Sequence, residues 1–63
     1  MQIKAMFVLE KVTPGALRYQ EVASDGTPLK INDGAKVGTL YVRKSALDGD
    51  HPQRVQMTID TVD

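Results

Sequence analysis

The sequence predicts an all-β fold: a small antiparallel sheet or barrel of four to five strands, with at most one short helical turn, near residues 44–47. Three observations predict it. Apolar residues recur at every second position in separated runs, Ile3-Ala5-Phe7-Leu9, Leu40-Val42 and Val55-Met57-Ile59, which is the spacing of one strand face. Turn residues punctuate the runs at Thr13-Pro14-Gly15, Asp25-Gly26, Asn32-Asp33-Gly34 and Asp48-Gly49. No long stretch repeats with helical spacing.

The first element is Gln2 to Lys11. Ala5, Met6, Leu9, Glu10 and Lys11 are good helix formers, so a helix competes. A strand is preferred because no capping residue precedes the run and Thr13-Pro14-Gly15-Ala16 follows it. Pro14 then Gly15 predicts a type II turn, in which proline presets φ and glycine takes the positive φ. The second strand is Leu17 to Val22, with Leu17 and Tyr19 on one face and Arg18, Gln20 and Val22 on the other. Asp25-Gly26 turns the chain. Residues 23–37 read as two turns around a short edge strand at Leu29–Ile31, or as a loop, because Pro28 lacks a donor. Gly38 to Arg43 is the next strand. Lys44 to Leu47 predicts one turn of α or 3₁₀ helix ended by Asp48-Gly49. After the polar linker "DGDHPQ", Arg54 to Thr61 is the last strand.

A chain of 63 residues with no cysteine is one domain, without a disulfide or thiolate metal staple. One uncovered sheet leaves an apolar face bare, so the sheet is expected to curl into a small barrel or to stack on a second copy, and a homo-oligomer is expected. The absence of cysteine fits the cytoplasm. "MQIKAMFVLEKV" carries Lys4 inside its apolar run and lacks the pattern of a signal peptide, and no apolar stretch has the length of a bilayer span; no membrane association is expected. Eight basic and eight acidic side chains give a formal net charge of zero, so bulk charge does not call for nucleic acid.

Alternation assigns Ile3, Ala5, Phe7, Leu9, Leu17, Tyr19, Leu40, Val42, Val55, Met57 and Ile59 to the core face. The opposite face carries Lys4, Met6, Val8, Arg18, Gln20, Tyr41, Arg43, Arg54, Gln56 and Thr58, with Glu10 and Asp60 near its ends. The candidate contact residues are Lys4, Arg18, Tyr41, Arg43, Lys44 and Arg54. Cations around an exposed aromatic are the chemistry of single-strand nucleic-acid surfaces, where Arg and Lys follow phosphates and a ring stacks a base. Charge on an outer sheet face also serves solubility and edge protection alone.

Catalytic patterns do not assemble. His51 lies in "DGDHP" beside Asp48 and Asp50, with Ser45 the nearby hydroxyl, but no oxyanion loop is evident. Asp48-x-Asp50 lacks the remaining ligands of a calcium loop. No enzyme activity, metal or cofactor is expected.

"GTLYVRKSAL", a short Gly/Pro linker and "RVQMTID" resemble the C-terminal half of short, uncharacterised bacterial β-rich proteins, and "FVLEKVTPGALRYQEV" is similar to their opening hairpin. The resemblance implies no activity and no site residues. The strand with its basic residue and Ser-Ala-Leu also resembles, over a few residues and without the proline that follows their strand, the swapped-hairpin dimers of small transcriptional regulators. The expectation is a non-enzymatic binding domain: a small nucleic-acid-associated or regulatory protein using the basic face, or alternatively a protein-interaction module, an accessory or inhibitor subunit, pairing through a strand edge.

Overall fold

A strand of alternating apolar residues can bury only one face, and four such strands here share one face between them. The computed structural model describes residues 1–62, and at Ile31 the backbone alone. Its strands are β1 (Gln2–Val12), β2 (Ala16–Val22), β3 (Thr39–Arg43) and β4 (Arg54–Asp60), with 3₁₀ turns at Ile31–Asp33 and Lys44–Leu47. All neighbours are antiparallel and the order across the sheet is β3-β2-β1-β4. The sheet curls into a half-barrel. Among the described residues β3 and β4 pair neither with each other nor with a further strand, so each is a free edge.

The concave face is the core. Phe7, Leu17 and Tyr19 are fully buried and Ala5 nearly so, with Leu9, Val37, Leu40, Val42, Leu47, Val55 and Met57 packed around them. The alternation therefore read most of the core face, except that half-buried Ile3 lies outside this cluster and Ile59 stays 41% exposed at the β4 edge. The β3–β4 connection closes over this face. Leu47 packs on the core from the second 3₁₀ turn, the Tyr19 hydroxyl donates to the Pro52 carbonyl at 2.8 Å, and the Leu9 amide donates to the Gln53 carbonyl at 2.8 Å.

Three local features differ from the sequence reading. The first is a β-bulge. Leu9 faces Tyr19, yet Lys11 faces Arg18 and Val12 faces Leu17. One extra residue thus lies between Leu9 and Lys11. In an uninterrupted ladder Lys11 would share the face of Leu9; the bulge turns it off that face and brings Val12 into register with buried Leu17. The strand consequently runs on to Val12.

The second is the turn at Pro14-Gly15. Gly15 is not among the positive-φ residues, so the turn is not type II. Thr13 closes it instead: its amide and hydroxyl both donate to the Ala16 carbonyl, at 2.9 and 2.8 Å, and its hydroxyl accepts from the Ala16 amide at 3.1 Å. With the hydroxyl supplying these bonds, glycine's left-handed conformation is not needed.

The third is segment 23–37, where the loop alternative holds and the edge-strand alternative does not: it contains no strand. A single bridge joins Val22 to Pro28, and the 3₁₀ turn Ile31–Asp33 follows. The expected edge strand at Leu29–Ile31 fails because Pro28 offers no donor and Asn32-Asp33-Gly34 bends the chain immediately. The segment folds against Val22, which reads as an outer-face residue but is only 9% exposed.

Candidate binding surface

The candidate residues are placed by ladder register. On the outer face β3 contributes Tyr41 and Arg43, opposite Arg18 and Ala16 of β2. β1 contributes Lys4, Met6 and Val8. β4 contributes Arg54, opposite Val8, and Thr58, opposite Lys4. Lys44 follows β3 in the 3₁₀ turn, half-buried, and its amide donates to the Gly15 carbonyl at 3.4 Å, beside the β1–β2 turn.

The structure divides the six candidates into two groups. Arg18, Tyr41 and Arg43 gather at the β2–β3 corner, with Lys44 at its end. Thr13, Gly15, Ala16, Tyr41 and Arg43 line a shallow hollow of about 420 Å³ there. Lys4 and Arg54 belong to β1 and β4. Arg54 stands three strand spacings from Tyr41, about 14 Å at the usual inter-strand distance. The single basic patch expected from alternation is therefore not formed.

The corner is also less positive than its cations suggest. Glu10 Oε1 lies 2.8 Å from Arg18 Nε. The approach is off the N–H direction, and Nε finds no aligned acceptor among the described residues, so the contact is an ion contact more than a hydrogen bond. The Arg18 guanidinium is held more firmly protonated, first by the neighbouring Tyr41 hydroxyl and then by the Glu10 charge. Tyr41 itself is 61% exposed, so its ring is open to a partner.

Between the two groups runs an apolar strip. Met6, Phe7, Val8 and Val22 line a hollow of about 250 Å³, closed by the turn Ala23–Gly26 and by Arg54. Alternation placed Met6 and Val8 on this face; the hollow could not be read because the turn that walls it lies in segment 23–37.

Glu21 was missed as a positioning residue. It sits at the third alternate place after Leu17 and Tyr19, so its carboxylate faces the core side, where it is 2% exposed. Oε1 accepts from the amides of Val37, Gly38 and Lys36 at 2.8, 2.9 and 3.0 Å. Burial pushes its carboxyl pKa up, but the backbone donors outweigh that and leave it below the usual carboxylate value. The signal was available: a carboxylate in phase with Leu17 and Tyr19 demands donors. Its effect is to seat residues 36–38, from which β3 starts.

Backbone alternation defines the edges. The Glu21 amide donates to the Gly38 carbonyl, so residues 38, 40 and 42 bond β2 while Thr39, Tyr41 and Arg43 direct N–H and C=O away from the sheet. On the other side the Thr61 amide donates to the Met1 carbonyl and Leu9 bonds Gln53. Residues 55, 57 and 59 therefore bond β1, while Arg54, Gln56, Thr58 and Asp60 direct theirs outward.

These features define a class: a small antiparallel half-barrel with two unpaired edges and a mixed-charge outer face. No protein-family model, curated protein or solved structure matches the chain.

Proposed function

We propose that this chain is a non-enzymatic binding module, an accessory or inhibitor subunit, that captures a protein partner by accepting one of its strands on β3. The observation that carries this reading is the outward backbone of Thr39, Tyr41 and Arg43. An added strand gains affinity from those main-chain groups and specificity from flanking side chains. Tyr41 supplies a broad contact with few rotors. Arg43 and Lys44 favour a partner strand bearing carboxylates.

The chain has no cysteine, so Tyr41→Cys or Thr39→Cys gives a single attachment point for a photo-crosslinker. The reading expects both to label the same partner protein, and Arg43→Glu to abolish the labelling while the circular dichroism spectrum is kept. Labelling that survives Arg43→Glu, or that is equal from a control cysteine at Thr27, would overturn it.

A second reading is favoured by the exposed Tyr41 ring beside Arg18 and Arg43: a single-stranded nucleic acid stacked on Tyr41. It predicts oligonucleotide binding that weakens steeply with salt, with a slope set by the few cations at this corner. Absence of binding at low salt sinks it.

A further inference from the structure

The β4 edge is self-complementary. Its outward-bonding residues run Arg54, Gln56, Thr58, Asp60, so a cation stands at one end and an anion at the other. Among the described residues neither has an ion-pair partner, and both are exposed. We propose that β4 pairs antiparallel with β4 of a second copy, about a two-fold axis at Met57.

The register follows from the charges. With Met57 opposite itself, Gln56 faces Thr58, Val55 faces Ile59, and Arg54 of each copy faces Asp60 of the other. Paired side chains then stand about 5 Å apart on one face. Shifting the axis to Gln56 or Thr58 removes both ion pairs, and a parallel arrangement sets like charges together. In the Met57 register the outward N–H and C=O groups of residues 54, 56, 58 and 60 are the ones that bond across the axis.

Surface area supports the same occupant. The chain exposes 4693 Å², whereas a compact monomer of 6.9 kDa exposes about 4,000 Å². The excess is close to the roughly 800 Å² per partner of a standard interface. The molecule is also flat, 31 × 30 × 17 Å, and Ile59 lies exposed on the concave side of this edge. β4 has no proline, lysine or bulge to block pairing, and its two charged residues are of opposite sign, so they oppose a like edge only out of register. Pairing gives one continuous sheet, β3-β2-β1-β4-β4′-β1′-β2′-β3′, with the two β3 edges left at its ends. The inference does not depend on the β3 reading, which concerns the opposite edge.

Charge reversal tests it. Sedimentation equilibrium of the wild type at high micromolar concentration should give twice the 6.9 kDa chain mass. Arg54→Glu alone and Asp60→Lys alone should each give the chain mass, with circular dichroism unchanged. The two single variants mixed together should recover the doubled mass, as should the double variant Arg54→Glu/Asp60→Lys. A monomeric wild type, or single variants as dimeric as the wild type, would overturn the proposal.

Discussion

Glu21 and Gly38 bind each other twice: the Glu21 amide donates to the Gly38 carbonyl at 2.9 Å, and the Gly38 amide donates to Glu21 Oε1 at 2.9 Å. The strand and its side chain thus grip the same residue at the point where β3 begins. Val37 and Lys36 add their amides to the same carboxylate. This clasp holds β3, and so the candidate partner edge, in place.

Glu21→Gln replaces a charged acceptor with a neutral one whose amide donors have nothing to bond. Hydrogen bonds to a buried charge contribute about 1.5–3 kcal/mol, so a loss of about 2 kcal/mol is expected in urea unfolding at neutral pH. The folded pKa of Glu21 is lowered below the ordinary carboxyl value of 4.5. Its contribution is therefore complete above about that pH and lost as pH falls through the folded value. Wild-type stability should drop across that acidic window, and the drop should be smaller in Glu21→Gln.

Gly38 and Gly15 should respond oppositely to alanine. Gly38 has φ +90° and Gly15 has no positive φ, and an added Cβ meets nothing within 4 Å at either site. Only conformation decides. Gly38→Ala should cost about 1–2 kcal/mol, while Gly15→Ala should be neutral or stabilise by up to about 1 kcal/mol. Thermal melts of the two variants check this, and a destabilised Gly15→Ala would restore the type II turn that the sequence suggested.

Much of the fold was legible because the strand faces alternate cleanly. Phe7, Leu17, Tyr19, Leu40, Val42, Val55 and Met57 point inward as their spacing dictates. What could not be read depends on contacts distant in sequence. The bulge after Leu9 puts Val12, not Lys11, opposite Leu17, a shift that the alternation of β1 alone does not announce. Segment 23–37 is held by Glu21 and Val22 of β2 more than by its own pattern. For the candidate site, alternation placed Lys4, Arg18, Tyr41, Arg43 and Arg54 on one face. It could not give the strand order β3-β2-β1-β4 that separates Arg54 from Tyr41, nor the bulge beside which Glu10 meets Arg18.

Tyr19→Phe keeps the buried ring and removes only the bond to Pro52. A loss of about 1 kcal/mol is expected, with faster amide exchange in residues 48–53 and no change in the β1–β2 ladder. Equal acceleration throughout the sheet would mean that the hydroxyl supports the whole core and not the crossover alone.

The Glu10–Arg18 contact should contribute little to stability. Both side chains are partly exposed, 42% and 34%, and such pairs give about 0.2–1 kcal/mol in double-mutant cycles. The coupling between Glu10→Ala and Arg18→Ala should fall in that range and shrink with salt. Glu10→Ala should also leave Arg18 free to strengthen any binding of an acidic partner at Tyr41.

Residue-resolved amide exchange as a function of chain concentration tests the two-edge architecture most directly. In dilute protein, Thr39, Tyr41 and Arg43, and likewise Arg54, Gln56, Thr58 and Asp60, should exchange fast, while Leu40, Val42, Val55, Met57 and Ile59 are protected. At high concentration the four outward amides of β4 should slow and the three of β3 should not. Uniform exchange along either edge strand, or concentration-dependent protection of β3 instead of β4, would contradict the account.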